Sequence, residues 1–264
     1  MKPIALPRLL ALASLAFAVS ANGLRATIIA SDTFTLTDTR IAGSALSGST
    51  TETGNLTWNG GAQWQLTSAG YVTSTTTTSA GFAVPFSFAG YAQYGTIATV
   101  SFDVTFPRNN DSTWYALGFG TNSAGALNST TGVVYIRVDS RLGGWTVTSG
   151  STSVATGTLT ATLGSYNRNN SYTWSVSYDE STRTIVNVSV NGTSIVSNYL
   201  VPETVTLSTV TSASFFGQFP AGTTEQIDNF KLEVTPSTIP EPGTWTVICG
   251  ALSLAVSLFR RRSR

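Results

Sequence analysis

Acidic side chains are the first candidates for chemistry, because the sequence offers few other reactive groups. It contains no His and a single Cys, which excludes Ser-His-Asp and Cys-His catalysis and His-ligated zinc. Acid–base cleavage of a glycosidic bond needs two carboxyl groups roughly 5–10 Å apart. The nearest neighbours in sequence are Asp179 with Glu180, and Glu225 with Asp228. Their turn-like surroundings predict solvated or capping charges, so we predict that the protein is not an enzyme.

Aromatic side chains beside short polar ones are the second candidates. Trp114 and Tyr115 follow Asn110 and Asp111 closely. A flat ring can pack against the C–H face of a sugar, while amide and carboxylate groups bind its hydroxyls. Most aromatic residues of a β-sandwich belong to the core. The four residues are therefore a predicted ligand-binding site whose alternative is ordinary packing.

Alternating hydrophobic and polar residues predict the elements that position these side chains. In residues 99–106, Val100, Phe102, Val104 and Phe106 share one face, which is typical of a strand with one buried side. The 43 Thr and 33 Ser residues suit the exposed faces of such strands. We predict an all-β fold, a single antiparallel two-sheet sandwich or jelly roll, without helices between the two ends. Further strands are predicted at residues 26–31, 57–66, 114–119, 133–138, 144–148, 172–178, 184–190, 213–219 and 230–234.

Three segments resemble the concanavalin A-like and laminin-G-like sandwiches. Residues 178–192 look like a strand, a turn at 179–182 and a second strand that ends in Asn191-Gly192. Residues 226–234 look like the last strand, and residues 31–34 look like the first. That fold hosts lectins, glycosidases and adhesion modules, so the resemblance does not define an activity. The Glu-x-Asp-x-x-Glu spacing of its endoglycanases does not occur in this sequence.

The same resemblance implies a place for a structural calcium ion between the first and last strands. Asp32 and Asp228 match that place, and Ca²⁺ binds carboxylate and backbone oxygens without needing His or Cys. By parity Asp228 shares the buried face of Phe230 and Leu232, so it needs a partner. The partner is either Ca²⁺ or backbone N–H groups. No other cofactor is expected.

The N-terminus has the layout of a secretory signal peptide. Lys2 and Arg8 give a positive start, residues 9–19 are apolar, and small residues follow up to Ala21. We expect cleavage after Ala21 or Ala26, so residues 1–26 are assigned to the signal. The apolar run is too short to span a bilayer.

The C-terminal residues 239–264 combine three features. A Pro-Glu-Pro motif, Pro240, Glu241 and Pro242, precedes the apolar residues 244–259. Sixteen helical residues reach about 24 Å, slightly short of the roughly 30 Å hydrocarbon core. Arginines favour the cytoplasmic side of a membrane, and they close the chain at Arg260, Arg261, Arg262 and Arg264.

This tail resembles the PEP-CTERM sorting signal of Gram-negative bacteria, in which the same three features occur in this order. The resemblance implies a transmembrane helix that transiently anchors the precursor in the inner membrane. It also implies cleavage near Pro240–Pro242 by an exosortase-type membrane peptidase. The implied destination is the cell envelope or the extracellular matrix. A permanent single-span anchor is the alternative.

The charge of the remaining domain narrows the choice of partner. Residues 27–238 contain seven basic and twelve acidic side chains, a net charge of −5. Without a basic cluster, nucleic acid is not an expected partner. We therefore predict an exported, non-catalytic module that binds exopolysaccharide or surface proteins. The alternative is a secreted polysaccharide-active enzyme on a concanavalin A-like fold.

Overall fold

The computed structural model describes residues 25–75, 78–107, 113–139, 141–218 and 225–236. Within it, Ala26–Thr235 form one compact unit. Residues 1–24 of the predicted signal peptide, the Pro-Glu-Pro motif, the predicted terminal helix and the arginine cluster lie outside the described residues. The part of the chain that is described contains no helix long and apolar enough to cross a membrane.

The described residues form fifteen β-strands and very little helix. In chain order the strands are Thr27–Asp32 (β1), Asn59–Gly60 (β2), Trp64–Leu66 (β3), Val72–Ser74 (β4), Ala80–Pro85 (β5), Ile97–Thr105 (β6), Trp114–Gly120 (β7), Gly132–Asp139 (β8), Gly144–Ser149 (β9), Thr152–Thr158 (β10), Ser171–Asp179 (β11), Thr184–Val190 (β12), Thr193–Leu200 (β13), Ser212–Gln218 (β14) and Gln226–Thr235 (β15). The helices are Phe88–Tyr91 (α1), a 3₁₀ turn at Ala92–Tyr94, and Leu159–Leu163 (α2).

Two antiparallel sheets form a sandwich, as the alternating pattern predicts. One sheet has the order β13-β12-β11-β6-β15-β4-β3, with β1 paired to β15, which gives eight strands. The other has seven strands in the order β10-β9-β8-β7-β14-β5-β2. The first and last strands are therefore direct neighbours. The turn at residues 179–182 joins β11 to β12, and the turn at Asn191-Gly192 joins β12 to β13. Both pairs are antiparallel hairpins, which confirms both turn predictions.

The core lies between the sheets and consists largely of aromatic and β-branched side chains. Phe82 and Phe215 stack with centroids 5.3 Å apart, and Phe102 meets Phe215 edge-on at 5.6 Å. The buried positions predicted from alternation are at most 1% exposed and confirm the strand phases: Phe102, Val104, Trp174, Val176, Val188 and Phe230.

The prediction of no helix between the two ends is wrong in two places. Each helix is about one turn long, which is too short to create a helical periodicity in the sequence. The Ser87 hydroxyl caps α1 by accepting from the Gly90 N–H at 3.2 Å. The Thr158 hydroxyl caps α2 in the same way. Gly164 then ends α2 with a φ of 80°, in the left-handed region that glycine favours.

The single strand predicted at residues 57–66 is also wrong, because the segment crosses from one sheet to the other. Asn59–Gly60 pairs with β5 in the seven-stranded sheet. Trp64–Leu66 pairs with β4 in the eight-stranded sheet. Between them the Trp64 N–H donates to the Gly61 carbonyl at 3.2 Å and forms a turn. Alternation alone does not reveal such a crossing.

Hydroxyl groups cover much of the outer face of the eight-stranded sheet. Thr99 and Ser177 hydrogen-bond at 2.8 Å across β6 and β11, and Ser175 and Ser189 at 2.7 Å across β11 and β12. These residues alternate with core positions along each strand. Thr and Ser therefore occupy outward positions of these strands, although Ser177 and Ser189 are themselves buried.

Candidate functional site

Trp114 opens β7 on the outer face of the seven-stranded sheet, where it is half-buried. Its indole Nε1 donates to the Gln218 Oε1 at 3.0 Å, directly across the β7–β14 pair. The Phe216 ring lies 5.3 Å away at 62°. Trp114 is thus held in one orientation by a hydrogen bond and an edge contact.

Arg137 of β8 stacks on the same tryptophan. The guanidinium carbon lies 4.2 Å from the Trp114 ring centroid, within the range of a cation–π interaction. The Arg137 side chain is exposed, and its cross-strand neighbours are Ala116 and Thr146. We call the surface formed by Trp114, Arg137, Phe216 and Gln218 the Trp114 face.

The floor of the Trp114 face is apolar. Ala116, Leu127 and Tyr135 form a small buried cluster that is separate from the main core and packs against Trp114 and Phe216. Leu127 reaches it from the loop between β7 and β8. Burial raises the pKa of Tyr135, although a hydrogen bond with Thr148 opposes the rise. The Trp114 face therefore combines packed aromatic rings with two polar groups, the exposed guanidinium of Arg137 and the side-chain amide of Gln218.

Tyr115 does not belong to this surface, and the prediction that it binds a ligand is corrected. It is 2% exposed and stacks on Phe215 with centroids 5.9 Å apart. Its hydroxyl oxygen accepts from the Trp174 Nε1 at 2.9 Å inside the core. Burial raises its pKa well above the ordinary value. Consecutive residues of a strand point to opposite faces, so Trp114 and Tyr115 cannot both face solvent.

The other two residues of the predicted site, Asn110 and Asp111, lie outside the described residues. The sequence reasoning missed Arg137, Phe216 and Gln218, which come from β8 and β14. The sequence indicates these residues only through their positions in the alternation of β8 and β14, which place them on the outward side of the sheet.

The Asp32 carboxylate accepts hydrogen bonds from four nitrogen atoms. It is fully buried, and Arg40 contacts its two carboxylate oxygens at 2.9 and 3.1 Å. The Trp58 Nε1 and the Phe34 N–H donate to it at 2.7 and 2.8 Å. Burial raises the pKa of Asp32, and the hydrogen bonds from Trp58 and Arg40 oppose that rise. These donors stand where a cation would have to bind, so Asp32 does not fit the calcium-ligand role predicted for it.

Asp228 does not share the buried face that parity predicts, because a β-bulge intervenes. The β15–β6 register shifts after Asp228, and Asn229 has a φ of 50°. Ile227 and Phe230 both point into the core as a result, and Asp228 turns outward. Over the described ranges, no group of three or more His, Cys, Asp or Glu residues could hold a metal ion.

The bulge instead places Asp228 directly opposite Asp103 of β6. Directly paired residues have Cβ atoms about 4.5–5.5 Å apart. Thr173 donates to one oxygen of Asp103 at 2.6 Å, and the Asn229 amide donates to the other at 2.8 Å. Burial, and then the charges of Asp103, Glu52 and Asp32, raise the pKa of Asp228. The sequence did not reveal this pair because its members lie on distant strands.

The carboxylates that are close in sequence have structural roles. Asp179 is buried and accepts from the Ser181 and Thr182 N–H groups. Glu180 accepts from the Val210 N–H at 2.8 Å. These contacts agree with the capping role predicted for them. Glu225 is 0% exposed and accepts from the Ser74 N–H, so the prediction that it is a solvated charge is wrong.

A shallow cavity of about 430 Å³ lies beside α1. Tyr91 is its largest aromatic residue, but one face of that ring stacks on Phe86 at 5.5 Å with an interplanar angle of 10°. None of the described residues that line the cavity is charged. The residues that line it include Leu56, Pro85, Phe86, Ser87, Tyr91 and Thr211.

The molecule is therefore an all-β sandwich with an aromatic, arginine-bearing face on one sheet. Solved structures similar to it include Trypanosoma rangeli sialidase in complex with 2,3-difluoro-KDN, with a TM-score of 0.53 and 15% identity over 80% of this chain. Another structure of Trypanosoma rangeli sialidase has a TM-score of 0.51 and 14% identity over 87% of this chain. The Emp47p carbohydrate recognition domain has a TM-score of 0.47 and 13% identity, covering 76% of this chain and 97% of that domain.

The likeness to the sialidases shows the fold alone. This chain spans 31% and 37% of the length of the two sialidase chains. No protein-family model matches the sequence, and the search of curated proteins found no significant match.

Proposed function

We propose that this protein is an exported, non-catalytic sandwich of the concanavalin A-like type that binds polysaccharide at the Trp114 face. The observation that carries the proposal is a half-buried tryptophan held between Arg137, Phe216 and Gln218 on an outer sheet surface. Neighbouring proteins of the envelope or matrix are the other partners that the sequence suggests. The similar sialidase structure is a complex with 2,3-difluoro-KDN, which agrees with the proposal without identifying a ligand.

The chemistry of the Trp114 face suits a sugar. Exposed parts of the Trp114 and Phe216 rings offer apolar surface for the C–H side of a pyranose ring. The Gln218 Oε1 is engaged by the indole, which orients the amide nitrogen of Gln218 as a donor. Such rings, with a few placed polar groups, are typical of a ligand-binding surface.

A binding assay on the full chain tests this proposal. We expect Trp114→Ala to weaken binding to its best polysaccharide about tenfold, since stacking on a ring contributes roughly 1–1.5 kcal/mol. Trp114→Phe should retain part of that affinity. Tyr94→Ala is the matched control, because Tyr94 is a 40% exposed aromatic residue away from the Trp114 face. The melting temperature of Trp114→Ala should fall by no more than a few degrees. Unchanged binding by Trp114→Ala would reject this face.

For the destination of the protein, the proposal depends on the two ends of the sequence. An N-terminal signal at residues 1–26 and a PEP-CTERM tail at residues 239–264 fit export, transient inner-membrane anchoring and release by an exosortase-type peptidase. Mass spectrometry of the exported form should find both segments absent. Replacing Pro240, Glu241 and Pro242 together by Ala should leave the tail attached. Recovery of the exported protein with Arg264 intact would support a permanent anchor instead.

The pairing of Asp103 with Asp228 favours a second candidate, a polysaccharide hydrolase. One of these two facing carboxyl groups has a raised pKa, which is what a general acid requires. A screen for released reducing ends would test it on the full chain. Hydrolysis that is lost in both Asp103→Asn and Asp228→Asn would establish an enzyme. Absence of hydrolysis together with Trp114-dependent binding would favour the non-catalytic module.

A further inference from the structure

We infer that the ligand of the Trp114 face is an anionic sugar, and that Arg137 binds its negatively charged oxygens. The inference rests on the proposed function and names the substrate class of the same site. Both a carboxylate and a sulfate ester carry negatively charged oxygens that a guanidinium can bind. The planar guanidinium fork matches a planar carboxylate most closely, so a uronate is the expected form.

Over the described part of the chain, Arg137 has no ion pair, in contrast to Arg40 and Lys231. Arg40 is buried against Asp32, and the Lys231 Nζ lies 2.6 Å from the Glu233 carboxylate. Arg183 donates to the Pro202 and Val205 carbonyls at 2.9 and 2.6 Å. Among the described residues, no carboxylate forms an ion pair with Arg137, although the side chain is exposed.

The surroundings of Arg137 hold the guanidinium ready for a ligand. Contact at 4.2 Å with the Trp114 ring restricts the Arg137 side chain, so less side-chain entropy is lost when it forms hydrogen bonds. Its neighbours across the sheet, Ala116 and Thr146, add no charge. A cation–π contact does not use the N–H groups of a guanidinium, so they can form two parallel hydrogen bonds to an anion.

A sugar can use both parts of the surface at once. Its ring would contact Trp114 and Phe216 while its anionic substituent meets Arg137. The Gln218 amide lies on the other side of the indole and can donate to a hydroxyl group. The domain itself has a net charge of −5. Because that net charge repels polyanions at a distance, Arg137 must act through direct contact.

The test compares matched polymers at constant ionic strength, using the full chain. Polygalacturonate and its carboxyl-reduced form differ only in the carboxylate. Arg137→Gln should weaken binding to polygalacturonate about tenfold or more, as expected when a hydrogen-bonded ion pair is lost. The loss of affinity for the carboxyl-reduced polymer should be clearly smaller, so the variant should lose most of the preference for the charged polymer. Arg137→Lys keeps the charge but loses the fork, so we expect an intermediate loss.

Lys231→Gln is the control, because it removes the same charge from the outer face of the other sheet. It should change neither affinity more than about twofold, given the weak contribution of exposed charges. Dextran sulfate compared with dextran tests the sulfate source in the same way. A preference for dextran sulfate that requires Arg137 would support the inference with sulfate as the anion.

Two outcomes separate failure of the inference from failure of the proposed function. Binding of polygalacturonate that depends on Trp114 but is unchanged in Arg137→Gln would overturn the inference and leave the binding function in place. Binding of every polymer that is unchanged in Trp114→Ala would overturn both. Melting temperatures measured on each variant confirm that the compared proteins are folded.

Discussion

Arg40 and Asp32 form a buried, two-pronged ion pair next to the first strand, with N–O distances of 2.9 and 3.1 Å. The Trp58 indole completes the set of donors around the carboxylate. This group ties the loop after β1 to the core. It is a different role from the one predicted for calcium, which was to join the first strand to the last.

Replacing Arg40 by Met should therefore destabilise the fold strongly. It leaves the Asp32 carboxylate buried without its cation, and such a loss costs roughly 3–5 kcal/mol. Urea unfolding measures the change. The control is Lys231→Met, which breaks an ion pair whose lysine is 43% exposed and should cost less than about 1 kcal/mol. Equal effects in both variants would contradict the structural role of the buried pair.

Calcium should not raise the stability of the protein, since nitrogen donors already surround Asp32. We expect the same melting temperature in millimolar CaCl₂ and in excess chelator, with MgCl₂ as the control for ionic strength. A calcium-specific increase that Asp32→Asn or Asp228→Asn abolishes would restore the original prediction of a metal site between the first and last strands.

The paired carboxylates predict a pH-dependent effect of Asp228→Asn. Burial, and then nearby negative charges, raise the pKa of Asp228 above its ordinary value of 3.8. The folded state therefore binds this proton more tightly than the unfolded state, and stability from this group falls as the pH rises through the raised pKa. We expect Asp228→Asn to be more stable than the unmodified protein at pH 7, and the difference to vanish towards pH 3.

Thermal unfolding across this pH range measures the effect. Asp38→Asn is the control, because it removes the charge of an exposed carboxylate in the loop after β1. A stabilisation by Asp228→Asn that is equally large at pH 3 and pH 7 would mean that proton binding is not its cause.

Tyr115→Phe should separate core packing from ligand binding. The change removes the hydroxyl that accepts from the Trp174 Nε1, and an unpaired buried donor costs roughly 1–3 kcal/mol. Polysaccharide binding should not change, because Tyr115 is 2% exposed. Tyr94→Phe removes an exposed hydroxyl and should alter neither property. Loss of binding at unchanged stability would return Tyr115 to the site.

Gly118→Ala should disrupt the sheet below the Trp114 face. Gly118 has a φ of 151°, and an added Cβ would clash with the Val134 carbonyl and lie 2.6 Å from the Tyr135 Cα. We expect a loss of roughly 3 kcal/mol or more in the free energy of unfolding. Gly192→Ala has a positive φ but no atom within 4 Å of the new Cβ, so it should cost only about 1 kcal/mol. Similar losses at both positions would show that backbone conformation alone accounts for the effect.

Alternation in the sequence predicted the sandwich because burial on one face leaves a local pattern. Phe102 and Trp174 are buried for this reason, and Asn191-Gly192 forms a turn because both residues tolerate a positive φ. The bulge at Asn229 left no such pattern. One additional residue inverted the predicted direction of Asp228, and with it the reason for expecting calcium there.

The sequence predicted only those residues of the candidate site that lie close to one another along the chain. Trp114 was recognised as a surface aromatic residue, but Tyr115 was included with it although the two point to opposite sides of β7. Arg137 and Gln218 meet Trp114 only through strand pairing, which depends on the order of strands in the sheet. Asp103 and Asp228 illustrate the same limit, since register brings them together.

The hydroxyl groups on the outer face of the eight-stranded sheet have a consequence for the environments that the protein tolerates. Salt screens forces between charges, with a Debye length of about 8 Å at physiological ionic strength. A hydrogen bond between two neutral hydroxyl groups does not depend on such forces. The Thr99–Ser177 and Ser175–Ser189 bonds should therefore weaken less in brine than an exposed ion pair such as Lys231–Glu233. Links of this kind hold neighbouring strands together as salinity changes around the protein.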